Sequence, residues 1–343
     1  MTEFIRNCWY VAGWNRDLPE GELLAREIIG ERLVIFRAAD GALAALEDRC
    51  PHRWAPLSAG RLEGELLRCM YHGLCFDGKG TCVSVPGDER TPSRRLSVRT
   101  YPVVESSGWI WVWMGDAELA DTSQIPEAWG LDNPEWHLKE GAIDYDADYQ
   151  LINDNLLDLS HLDYLHEDTL GAATGGCWSD EAPDVSEVAN GVYVSRWLRD
   201  ARPPYLPDAV DTHTSYHFLL PGIFIQTVRI FPPGTADSFA AGNELPAPLT
   251  ERVDQQAVTP VAPDRSRYYY AAGVGAQYGD EKLAEQMRDG VLPAFMQDKT
   301  MIEAQARVIA VTDPRRAMRY VWQDKAPSMF RKLIRERIAA ETD

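Results

Sequence analysis

Two short pieces of the chain, Cys50-Pro51-His52 and Cys69-Met70-Tyr71-His72, restrict what its 343 residues can become more than any other feature. They set a C-x-H pair and a C-x-x-H pair with sixteen residues between them. Two thiolates and two imidazoles make a full donor set for one tetrahedral zinc, or for a [2Fe–2S] cluster with both cysteines on one iron and both histidines on the other. The spacing alone leaves both open, although zinc ribbons more often repeat C-x-x-C. Each half offers one Cys and one His from a tight loop, which suits a centre gripped between two hairpin-like fingers. Five of the six cysteines, Cys8, Cys50, Cys69, Cys75 and Cys82, crowd the first quarter, and only Cys177 lies beyond. So few in so long a chain do not form a disulfide scaffold, and they imply a reducing compartment where thiols stay free or hold metal.

Fingers need hairpins, and the first third supplies them. Arg32 to Arg37 is β-branched and apolar, Asp40-Gly41 signals a turn, and Ala42 to Glu47 reads as the returning strand. Gly108 to Gly115 is a Trp-rich strand bounded by glycines. A small antiparallel β domain is expected over residues 1–116. The boundary falls within 116–135, and a second domain covers 117–343. There, residues 146–164 read as one helix with apolar Leu151, Ile152, Leu156, Leu159 and Leu162. A Gly-rich loop from Gly171 to Gly176 follows, then strand-like alternation over 191–230 and a long Pro/Gly/Ala-rich loop over 232–250. A strand at Ser266 to Val274 and helices at 281–310 and 326–341 complete the chain, with Gly290 and Pro293 expected to interrupt the first helix. The loops 169–182 and 232–250 are candidate lids.

The expected helix carries a second constellation. Asp158 and His161 lie three residues apart, on one helix face. His161 and His166 lie five apart, which is about 140° around a regular helix. Both can reach one ion only if the helix ends or bulges between them, and alone the H-x4-H spacing is a weak signal.

Composition narrows the partners. With 53 acidic against 34 basic residues the net charge is -19, the wrong sign for a phosphate backbone, so nucleic acid is excluded as the main partner. No run of eighteen apolar residues offers a membrane span, and Met1 to Trp9 lacks the apolar stretch of a signal peptide, so a cytoplasmic address is expected. No G-x-G-x-x-G opens a βαβ unit, so a nicotinamide cofactor is expected on another protein.

Arg49 to Gly80, with its Cys-Pro-His-Arg, Leu57-Ser58, Gly60, Tyr71-His72-Gly73, Phe76-Asp77-Gly78 and Gly80, resembles the Rieske fingerprint of aromatic-ring oxygenases. Leu74-Cys75 departs from it, since many members carry Trp after the glycine. The run Asn155-x-x-Asp158-x-x-His161-x4-His166 resembles the catalytic motif of the same family. The resemblance spans nearly the whole chain and is nearest to the short branch of vanillate O-demethylase, dicamba demethylase and toluenesulfonate methyl-monooxygenase. It implies an α+β protein, an all-β Rieske domain followed by a catalytic domain with a curved antiparallel sheet packed by helices (a helix-grip fold).

The same resemblance implies a set of roles. Cys50, His52, Cys69 and His72 would hold a [2Fe–2S] cluster, and His161, His166 and a distant carboxylate a mononuclear Fe(II). That carboxylate maps to Asp298, in Gln297-Asp298-Lys299, with Glu303 its nearest rival. Asp158 and Asn155 would be catalytic, Asp158 linking His161 to His72 of the next copy in a homotrimer. Gln226 and Gln256 fall where the branch places polar pocket residues, and Arg202 and Arg229 are possible partners for a carboxylate. The implied activity is a monooxygenase that uses O2 and electrons passed from NAD(P)H by a separate ferredoxin-type reductase. It would hydroxylate a methyl or methoxy carbon of an aromatic acid, and O-demethylation would release formaldehyde. Hydroxylation of a ring, and a bare electron-transfer role, are the alternatives.

Overall fold

β-Branched and aromatic runs become strands throughout the first third of the chain. The computed structural model describes residues 4–38, 41–175 and 178–341. Asp40, Gly176, Cys177 and Met1 to Glu3 therefore lie outside the described residues. The chain divides into two compact units, one running to Pro126 and including Thr259–Pro263, the other comprising Glu127–Val258 and Asp264–Asp343.

The first unit holds β1 (Trp9–Trp14), β2 (Leu24–Ile28), β3 (Glu31–Arg37), β4 (Leu43–Glu47), β5 (Arg61–Glu63), β6 (Leu66–Arg68), β7 (Cys75–Phe76), β8 (Cys82–Ser84), β9 (Thr100–Tyr101), β10 (Val103–Ser106) and β11 (Trp109–Trp113). They form three sheets, β1-β11-β10, β2-β3-β4-β9 and β5-β6-β7-β8. Because strand side chains alternate, β3 feeds two cores. Leu33 and Ile35 join Tyr10, Ile28, Ile110 and Val112. Val34 and Phe36 join Leu57, Leu67, Phe76 and the thiols of Cys50 and Cys69. Full burial of a Phe contributes about 1.5–3 kcal/mol, so this second core fixes the bases of both cysteine-bearing loops.

The second unit is a seven-stranded antiparallel sheet, in the order β12 (Trp136–Tyr145), β18 (Arg265–Gly275), β17 (Thr250–Ala262), β16 (Ile223–Phe231), β15 (Val210–Leu219), β14 (Gly191–Ala201) and β13 (Asp184–Val188). The helices are α1 (Tyr149–Leu157), α2 (Leu162–Leu165), α3 (Leu170–Thr174), α4 (Thr235–Ala240), α5 (Glu281–Val311) and α6 (Lys325–Ala340). Helix α5 packs on β12 and β18, and α6 on α1 and β14. None of the described helices is long and apolar enough to cross a membrane.

Four local expectations need correction. The single helix over 146–164 is broken at Asp158, whose extended backbone (φ -122°, ψ 94°) ends α1 and starts a 3-10 turn over Leu159–His161 before α2. Its carboxylate stops the helix by accepting from Ser160 N at 2.9 Å, the short-range competition that makes Asp a capping residue. The described part of the Gly-rich loop is α3, ended by Gly175 in the left-handed conformation (φ 60°). The 232–250 loop contains α4. Finally, α5 runs unbroken through Gly290 and Pro293. Burial of Val291, Ala294 and Phe295 around the proline offsets its one missing amide.

Candidate active site

In the first unit the two ligand-bearing loops share one hydrogen-bond pattern. Cys50 N donates to Ala55 O and Trp54 N to Cys50 O, each at 2.8 Å, while Cys69 N donates to Leu74 O at 2.8 Å and Gly73 N to Cys69 O at 2.9 Å. The matching residues Trp54 (φ 58°) and Gly73 (φ 77°) are both left-handed. At Gly73 the glycine is required, since a Cβ there would lie 2.7 Å from Pro86 Cγ. The paired turns put the buried thiols of Cys50 and Cys69 side by side, and the exposed rings of His52 and His72 4.5 Å apart, centroid to centroid. Burial pushes the Cys50 thiol up to about 11, and the adjacent Cys69 raises it further while main-chain donors pull it down. Two buried thiols beside each other and two imidazoles together toward solvent fit a [2Fe–2S] cluster with one inner and one outer iron. Cys75 and Cys82 are buried in the same core and point to other acceptors.

The second unit brings together the three residues expected from the distant motif. Donor atoms of His161, His166 and Asp298 lie within 4.8 Å of one another. The break at Asp158 allows this, because the two histidines now flank a single turn of helix. Asp298 reaches them from the buried face of α5. His161 Nδ1 lies 2.5 Å from the main-chain oxygen of Asp158, which can only accept, so this nitrogen carries the proton. His166 Nδ1 lies 2.9 Å from Gln297 Oε1, which also accepts from Thr169 Oγ1 at 2.8 Å. Both Nε2 lone pairs are thereby turned onto Asp298 Oδ1, at 3.4 Å from His161 and 3.1 Å from His166. Two lone pairs facing a carboxylate repel unless a cation lies among them. That donor set fits Fe(II).

Burial acts on both partners, pressing the His166 imidazole down and the Asp298 carboxyl up. Their mutual hydrogen bonds prevail, leaving His166 above and Asp298 below its ordinary value. Asn155 Nδ2 donates to Asp298 Oδ1 at 2.9 Å. Glu303, the rival carboxylate, is committed elsewhere, to Asp146 N at 3.0 Å and to Lys299. Asp158 meets His161 through its carbonyl, while its carboxylate caps the turn. The placement of Asp158 and His161 on one helix face is corrected accordingly.

These groups close one end of a cavity of about 90 Å³. Leu156, Leu159, Leu162, Phe224, Val291 and Phe295 make its apolar walls. Gln226 and Gln256 both face into it, Gln226 donating to Thr214 Oγ1 at 3.1 Å. Arg229 is not there, being paired with Glu251 at 2.6 Å, and Arg202 is exposed away from the lining. The cavity contains instead Arg252 and Asp254, which sequence reasoning missed. The available signal was the alternation of Arg252, Asp254 and Gln256 along one strand. Of the candidate lids, 169–182 contributes Leu170, Thr174 and Trp178 to the wall, whereas 232–250 contributes nothing to the lining.

Residues 8–102 match the Rieske [2Fe-2S] domain, and residues 145–340 the vanillate O-demethylase oxygenase C-terminal domain. Among curated proteins the chain is 34% identical to the toluene-4-sulfonate monooxygenase system iron-sulfur subunit of Comamonas testosteroni, over 98% of both chains. It is 32% identical to the vanillate O-demethylase oxygenase subunit of a Pseudomonas strain, over 99% of this chain and 96% of that one. It is also 32% identical to the dicamba O-demethylase oxygenase component of Stenotrophomonas maltophilia, over 88% of each. The fold superposes on dicamba monooxygenase bound to dicamba with a TM-score of 0.87 at 28% identity, covering 99% of both chains. A second structure of dicamba monooxygenase, with non-heme iron and dicamba, gives a TM-score of 0.83 at 27% identity over 99% of both.

Proposed function

The chain belongs to the Rieske oxygenases that carry a vanillate O-demethylase-type C-terminal domain, and from that premise we propose that it removes the methyl group of a methoxylated aromatic acid. It is the oxygenase component of a Rieske monooxygenase, supplied with electrons by a separate reductase. We assign Cys50, His52, Cys69 and His72 to the [2Fe–2S] cluster, and His161, His166 and Asp298 to Fe(II). When bound, the cluster supplies electrons singly and the iron activates O2.

The observation that carries this reading is the convergence of two imidazole lone pairs and one carboxylate oxygen at the end of an apolar cavity. Each neighbour has a definite task. The Asp158 carbonyl and Gln297 hold the two rings by their Nδ1 protons, so neither can turn toward a substrate. Asn155 holds Asp298 Oδ1 in line with them. Phe224, Phe295, Leu159 and Leu162 offer a flat aromatic ring a dry seat and keep bulk water from the reacting carbon. One atom of O2 enters a methyl C–H bond and the other leaves as water, with two electrons and two protons consumed. The resulting hemiacetal then breaks its C–O bond to give a phenol and formaldehyde.

Hydroxylation of an aryl methyl group is the second reading, favoured by the 34% identical toluenesulfonate relative. It begins with the same C–H oxidation and ends at a benzylic alcohol. Turnover of holoenzyme with a reductase, NAD(P)H and a panel of methoxylated and methylated aromatic acids separates the two. Formaldehyde matching the O2 consumed is expected. A benzylic alcohol without formaldehyde selects the second reading, and O2 uptake giving neither product rules out both.

The assembly we propose is a cytoplasmic head-to-tail homotrimer, with Asp158 of one copy facing His72 of the next. Two exposed patches, each on its own unit, support it. Trp54, Met70 and Tyr71 surround His52 and His72. Tyr164, Met318 and Tyr320 line a groove of about 590 Å³ that also contains Asp158 and His161. Sedimentation should give about three times the 38.5 kDa chain mass, and a monomer at micromolar concentration would exclude the ring.

A further inference from the structure

Alternate residues Arg252, Asp254 and Gln256 of β17 bring two opposite charges and an amide into the cavity wall. Their cross-strand neighbours on β16 are Val228, Gln226 and Phe224. Three rows thus lie side by side, each roughly 7 Å from the next, or two residues at about 3.4 Å rise. Residues between them face the other way, as Glu251 does in pairing Arg229 and Gln255 in accepting from Gly130 N.

The three polar groups are not consumed by the protein. Among the described residues, Arg252 and Asp254 form no ion pair with each other or with a third group, and Arg252 Nε and Gln256 Oε1 are buried without hydrogen-bond partners. Buried polar atoms are ordinarily satisfied, and a cluster of exceptions facing one cavity marks groups kept for a ligand. The ligand's chemistry follows from what each can do. Arg252 only donates, and it pairs best with an oxyanion. Asp254 is 4% exposed and, when ionised, only accepts. Gln256 Oε1 also needs a donor.

We propose that the substrate is an aromatic anion whose oxyanion is held by Arg252 and which presents an O–H or N–H group, from another ring position, to Asp254 and Gln256. The row spacing matches the span of substituents across one benzene ring. This rests on the reading of the cavity as the substrate site and specifies which ends of the substrate it recognises.

Calorimetric titration of oxidised holoenzyme, without reductase, tests it with benzoate, benzenesulfonate, benzamide and 4-hydroxybenzoate as probes. At least one of benzoate and benzenesulfonate should bind about tenfold or more tighter than benzamide, and which of them does tells a planar from a tetrahedral oxyanion. Arg252→Met should abolish that preference and leave benzamide unchanged. The 4-hydroxyl should improve binding over benzoate about threefold or more, a gain lost in Asp254→Ala. Equal binding of acids and amide, or no acid binding at about 10 mM, overturns the proposal without needing any variant to fold. Iron assayed on the same sample separates the two claims. A sample that cannot hold mononuclear iron yet prefers the acid removes the oxygenase reading and leaves this one standing, whereas an iron-replete sample without the preference does the reverse.

Discussion

Asn155 and Asp298, 143 residues apart in sequence, meet at 2.9 Å, with the amide Nδ2 donating to the carboxylate oxygen on which both imidazoles converge. An amide in that place orients a carboxylate without competing for the cation. Asn155→Ala should therefore leave the fold and the cluster spectrum intact while weakening mononuclear iron binding about 10- to 100-fold. Iron retained after graded chelation measures it, and retention equal to the parent would remove Asn155 from the site.

Gln297→Leu takes away the acceptor of His166 Nδ1 and leaves Thr169 Oγ1 without its 2.8 Å partner. A loss of iron affinity of similar size, about 10-fold or more, is expected. Gln297→Glu keeps an acceptor and should restore most of it. If Leu and Glu behave alike, Gln297 does not orient the ring.

Asp158→Asn keeps a good capping side chain for the turn at Ser160 and leaves the carbonyl that holds His161 in place. Metal content and thermal stability should match the parent. If the carboxylate couples the two metal centres of neighbouring copies, single-turnover electron transfer will slow by an order of magnitude or more, roughly the scale seen when such orienting contacts are lost. Unchanged single-turnover rates would restrict Asp158 to capping and to positioning His161.

Gly73 and Gly87 are both left-handed, at φ 77° and 76°, but only Gly73 has a neighbour where a Cβ would go. Gly87→Ala should cost about 1–2 kcal/mol, the ordinary penalty of that conformation, and keep the cluster. Gly73→Ala adds a clash with Pro86 and should lose the cluster absorbance. A fully loaded Gly73→Ala protein would contradict the paired-loop geometry.

Burial, and then the Arg229 charge, hold the His213 imidazole below its ordinary value. The ring lies against Trp197, 4.7 Å between centroids, with Nδ1 unpartnered among the described residues. As pH falls through about 6.5 the unfolded chain takes up a proton that the folded one resists. This residue's share of stability is therefore complete above about pH 6.5 and shrinks as the pH drops toward the lowered folded value. His213→Phe should flatten the fall of Tm between about pH 7 and 5.5. An unchanged slope would show that other groups carry it.

The donor residues were legible because their chemistry is local. Cys50, His52, Cys69 and His72 come in two short pairs, and His161 and His166 stand within one helical turn. Asp298 was reachable only through its family-like segment, since nothing local says that α5 brings it across. The break at Asp158 was hidden because Leu156, Leu159 and Leu162 continue the helical period through it, and the side-chain cap that ends the helix leaves the hydrophobic pattern untouched. Pro293 misled in the opposite sense, since packing on the sheet outweighs one lost hydrogen bond. Arg252 and Asp254 escaped because the facing of β17 depends on its register against β16, which pairs Gln226 with Asp254. Arg229, three residues beyond Gln226, points away for the same period-two reason.

The account stands on two metal centres in one chain, and the metal content of anaerobically purified protein tests that most directly. About three irons and two acid-labile sulfides per chain, without zinc, are predicted for one [2Fe–2S] cluster and one mononuclear site. His161→Ala should lower the iron by about one and leave the sulfide and the cluster spectrum unchanged. Zinc without sulfide, or an iron count that His161→Ala does not alter, would contradict the account.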